Sequence, residues 1–96
     1  MTLKYIYFPE MGVRGPEIGM LIMMDGDPEM PFVKDRKGGW YREDARREPD
    51  GCFDMCWSTR TVNSLLKKGW VVAAGRYDER GNILSVKRSD REGYPA

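Results

Sequence analysis

A chain of 96 residues is long enough for one domain with one core and too short for two. Its 16 basic and 15 acidic residues leave a net charge of +1, which excludes the global pull toward nucleic acid or anionic membrane that a strongly basic chain exerts. No histidine is present, and that excludes Ser–His and Cys–His nucleophiles as well as histidine-ligated zinc.

In chain order, Leu3-Lys4-Tyr5-Ile6-Tyr7-Phe8 is rich in aromatic and β-branched residues and stops at a proline, so it reads as a strand. Residues 9–19 hold Gly12, Gly15 and Pro16 and read as a loop. Met20-Leu21-Ile22-Met23-Met24 is continuously apolar and reads as a strand buried on both faces. Asp25-Gly26-Asp27-Pro28-Glu29 begins like a calcium-binding loop. Its twelfth position is Arg36, where a bidentate carboxylate is required, so it reads as a turn.

A hairpin follows, with arms 30–33 and 40–42 around the paired glycines Gly38 and Gly39. Pro31 places the first arm at an edge or at a strand start. Residues 43–51 are almost wholly polar and read as an exposed connection. Residues 58–68 read as a short helix. Ser58 caps it, Trp57 and Val62 staple it, and Val62, Leu65 and Leu66 form its apolar stripe. Lys67 and Lys68 suit its negative end, and Gly69 stops it. A last hairpin joins 70–74 to 83–86 through Asp78-Glu79-Arg80-Gly81-Asn82, a type I turn with Gly81 in a bulge position. The polar residues 89–96 read as a flexible tail. The expected fold is therefore α+β: a small antiparallel sheet of about four to six strands packed against one short helix near 58–68, in the order ββββαββ. It forms one domain over residues 1–88.

Two segments invite a chemical reading. Cys52 and Cys56 are spaced four apart, but closed zinc sites take four ligands. Only carboxylates such as Asp50 and Asp54, or a second chain, would complete the set. The expectation is packing beside Trp57, with no metal and no cofactor. The second segment, 34–47, carries six basic and three acidic residues. It interleaves Arg36, Lys37, Arg42, Arg46 and Arg47 with Trp40 and Tyr41, residue types that dominate protein interfaces and also contact phosphates and bases. These seven residues are the expected partner-binding set, with Trp40 and Arg42 as its anchors. The competing reading turns Trp40 into the core and leaves the rest a solvated hairpin.

The N-terminus lacks the long apolar stretch of a signal peptide, and the run at 20–24 is too short to span a bilayer. Two cysteines do not make a disulfide scaffold. A cytoplasmic location is expected. The function expected is that of a small non-enzymatic binding protein that docks on a macromolecule, a protein before a nucleic acid. In general type this is an accessory protein of a phage or mobile element that inhibits a host enzyme or defence complex. The alternatives are nucleic-acid binding through the 34–47 hairpin, and a metal-dependent or carboxylate enzyme. Homodimerisation through a strand edge is a further expectation.

Overall fold

The computed structural model describes residues 5–36, 38–45 and 56–95. Within them the chain runs β1 (Tyr5–Ile6), a 3-10 turn (Pro9–Met11), α1 (Gly15–Gly26), β2 (Phe32–Lys34), β3 (Gly39–Arg42), β4 (Trp57–Ser58), α2 (Thr59–Lys68), β5 (Val71–Ala73), β6 (Ser85–Arg88) and β7 (Tyr94–Pro95). Five of the strands form one antiparallel sheet in the order β4-β3-β2-β6-β5, and β1 pairs with β7 beside it. The α+β class, the antiparallel sheet and the helix near 58–68 are as expected from the sequence. Among the described residues, no helix is long and apolar enough to cross a membrane.

The element order departs from expectation at α1, since residues 20–24 are helical and not a strand. Glycine and proline at 15 and 16 open the helix instead of extending a loop, because a proline in the first turn forfeits no intrahelical hydrogen bond. The Glu17 carboxylate accepts the Arg14 N–H at 3.2 Å, and its charge suits the positive end of the helix. Met and Leu are strong helix formers. The residues α1 buries are Glu17, Met20, Leu21 and Met24, a helical period that a run of five apolar residues conceals.

The second helix matches its sequence signals closely. Ser58 Oγ accepts the Thr61 N–H at 3.2 Å, and Val62 and Leu65 are buried. Gly69 adopts φ 80°, a left-handed value that favours glycine. The Gly69 and Trp70 N–H groups then return to Leu66 and Leu65 carbonyls at 3.2 and 3.0 Å. The β5–β6 hairpin also forms as expected, its turn closed by the Gly81 N–H on the Asp78 carbonyl at 3.0 Å.

Both helices lie on one face of the sheet: α2 contacts β3, β4 and β5, while α1 contacts β6 and α2. All three tryptophans enter the core beneath them, at 2% exposure for Trp40, 8% for Trp57 and 1% for Trp70. Phe32 meets Trp57 edge-on at 5.5 Å, and Tyr7 meets Trp70 edge-on at 5.6 Å.

Residues 89–96, read from sequence as a tail, carry β7. Ser89 Oγ donates to the Gly69 carbonyl at 2.7 Å, and the Arg91 guanidinium lies 4.0 Å from the Trp70 ring centroid. Gly93 lies close beneath β1. A Cβ there would come within 2.8 Å of Tyr5 Cβ and 2.9 Å of Tyr7 Cε1, so the pairing of β1 with β7 depends on its bare backbone.

Candidate functional site: a basic groove between the helices

The 34–47 hairpin distributes its expected site residues unevenly. Trp40 pairs across the sheet with Trp57 and points under α2, where its Nε1 donates to Thr59 Oγ1 at 3.1 Å. A buried indole offers no face to a partner, so the structure returns Trp40 to the core. Arg42 is held by Asp44 at 2.7 Å and Asp27 at 3.5 Å. Tyr41 is half-buried, and Arg36 is exposed beside the hairpin turn. Lys37, Arg46, Arg47 and Cys52 lie outside the described residues, as do Asp50 and Asp54. Cys56 is a free, exposed thiol. Among the described residues, no three His, Cys, Asp or Glu side chains come together as a metal site would need.

A different surface gathers charge. The first turn of α1 and the outer face of α2 border a groove of about 640 Å³, lined by Arg14, Pro16, Glu17, Arg60, Thr61, Ser64, Lys67 and Lys68. Its floor is Glu17, only 4% exposed. Burial raises the pKa of this carboxyl. Hydrogen bonds from Ser64, Lys68 and the Arg14 N–H outweigh that and hold it below its ordinary value. Ser64 Oγ donates at 2.8 Å and Lys68 Nζ at 3.0 Å. Glu17 thus consumes one cation and ties α1 to α2.

The other three cations have no such partner. Arg14, Arg60 and Lys67 are exposed, and none forms an ion pair with any described residue. Four cations against one carboxylate leave three positive charges on this face of a chain whose net charge is +1. The local excess is produced by folding. Arg14 comes from the Gly- and Pro-containing segment before α1, and Arg60, Lys67 and Lys68 come from α2. The signal available beforehand was the spacing on α2, where Arg60, Ser64, Lys67 and Lys68 stand at i, i+4, i+7 and i+8.

A second polar cluster is internal. Asp25 accepts Arg88 Nε at 2.8 Å and the Tyr7 hydroxyl, while Arg88 Nη2 donates to the Tyr7 oxygen at 3.1 Å. Burial, reinforced by the hydrogen bond to Asp25 and opposed by Arg88, pushes the Tyr7 phenol above the usual tyrosine range. With both charges of the pair buried and matched, this cluster ties the residue that follows β1 to α1 and β6. The chain matches no protein-family model, no curated protein and no solved structure.

Proposed function

We propose that the protein is a non-enzymatic binding protein that docks on an acidic protein surface through the groove between α1 and α2, and acts by occluding that surface. The reading rests on the three exposed cations of the groove, Arg14, Arg60 and Lys67, which no described carboxylate pairs. Charge complementarity of this kind sets specificity and speeds encounter more than it sets raw affinity. An inhibitor that covers a partner's acidic site needs no chemistry of its own.

A protein partner is favoured over single-stranded nucleic acid by the groove's lining. Single-strand binders stack bases on aromatic rings, and no described aromatic residue lines the groove, while the exposed Tyr77 and Phe8 lie elsewhere. The reading is tested by titrating the protein with a Glu-rich peptide and with a duplex oligonucleotide at two salt concentrations. Binding of the peptide that weakens with salt and is lost in Arg60→Ala supports it. Binding of the oligonucleotide alone transfers the groove to nucleic acid.

A further inference from the structure

Glu17 is fully bonded within the groove. Its Oε1 accepts Ser64 Oγ at 2.8 Å and Lys68 Nζ at 3.2 Å. Its Oε2 accepts Lys68 Nζ at 3.0 Å and the Arg14 N–H at 3.2 Å. A carboxylate offers about four lone-pair sites, so these contacts saturate it. The Glu17 side chain is buried, while that of Lys68 is partly open to water and lines the groove. Lys68 is thus within reach of a partner but already matched from below.

We propose that Glu17 is a resident competitor: a carboxylate of the chain itself that holds Lys68 in place of a partner's carboxylate, and so lowers the affinity of the groove for acidic partners. This rests on the docking reading above and adds the residue that sets its strength. A partner meets Arg14, Arg60 and Lys67 with their charges open, and a fourth cation that is paired. Drawing Lys68 away would leave the Glu17 charge buried without its cation, which is unfavourable. The same carboxylate fastens α1 to α2, so one residue adds stability and subtracts affinity, a conflict known where fold and function share a site. A residue that only fastened the helices leaves a different signature. Loosening a fastener lowers stability and leaves binding unchanged or weaker. Loosening a competitor lowers stability and strengthens binding.

The test compares Glu17→Gln with the native chain in titrations against a Glu-rich peptide at low salt, with folding checked by circular dichroism. Gln keeps the shape and one acceptor oxygen but frees Lys68. Glu17→Gln is expected to bind about threefold more tightly, the scale of one partly exposed ion pair, and the difference is expected to shrink as salt rises. The gain is expected to vanish in Glu17→Gln/Lys68→Met, which has no cation to release. A second measurement needs no variant. In the isotope-labelled native chain, the Glu17 carboxyl-carbon resonance is expected to stay in place while the Arg60 side-chain resonances move with added peptide. Equal or weaker binding by folded Glu17→Gln, or a Glu17 resonance that moves with the peptide, overturns the proposal and leaves acidic docking standing. If the native chain binds no peptide, acidic docking falls and the proposal with it.

Discussion

Arg88 and Asp25, 63 positions apart in the chain, form an ion pair at 2.8 Å with side chains only 3% and 8% exposed. Arg88 also donates to the Trp70 carbonyl at 3.2 Å and the Ser89 carbonyl at 3.1 Å, so the guanidinium is well supplied with acceptors. Removing one partner of such a pair strands the other charge in the interior, at a cost of about 3–5 kcal/mol. Asp25→Ala is expected to lose stability on that scale in urea denaturation. Asp25→Leu combined with Arg88→Met is expected to lose less than the sum of Asp25→Leu and Arg88→Met made singly. A double variant as unstable as the sum of its singles would show that the two side chains do not act as a pair.

Tyr7 makes the same cluster sensitive to alkali. Its folded pKa is raised, so the native state keeps the phenol proton where the unfolded chain releases it. The Tyr7 contribution is therefore fully present below the ordinary value of 10.0 and is lost as pH rises above it toward the folded value. Denaturation midpoints measured between pH 9 and 11 should fall more steeply for the native chain than for Tyr7→Phe. Parallel slopes would show that the Tyr7 phenol does not contribute to the alkaline loss of stability.

Glu17 has the opposite sign. Its folded pKa is lowered, so its contribution is present above the ordinary value of 4.5 and is lost as pH falls through the folded value. Glu17→Gln is expected to cost about 1–2 kcal/mol near pH 7, from weakened bonds to Ser64 and the Arg14 N–H and a lost charge partner for Lys68. The figure is at the modest end because Lys68 is partly open to water. The difference from the native chain should shrink steadily between pH 5 and pH 3. A difference independent of pH would mean that shape, and not charge, is what Glu17 supplies.

Trp40 separates core from interface. Its burial and its hydrogen bond to Thr59 predict that Trp40→Ala costs about 3–5 kcal/mol, seen as a large fall in thermal midpoint. An unchanged midpoint with altered partner binding would restore the indole to the interface.

How far the sequence reveals the molecule differs sharply between the two helices. In α2 a polar face, a capping serine and a terminal glycine all agree, and the helix was readable to within a residue. In α1 five apolar residues in succession erase the contrast that distinguishes a 3.6-residue period from a buried strand. The buried Glu17 that completes the period is a residue type seldom counted as interior. The groove is concealed for the same reason, because it forms only when a helical α1 brings Arg14 and Glu17 beside residues 60–68. The hairpin 34–47 was legible as a hairpin. The side to which Trp40 points was not, because tryptophan suits cores and interfaces alike and only its register against Trp57 decides.

Docking of an acidic partner in the groove between α1 and α2, as proposed, is open to a charge-reversal test. The most direct measurement compares binding of a Glu-rich helical peptide to the native chain and to Arg60→Glu/Lys67→Glu, across a series of salt concentrations. Binding by the native chain is expected to weaken as salt rises, and the charge-reversed variant is expected not to bind, with both proteins equally folded. Undiminished binding by the variant would contradict that docking.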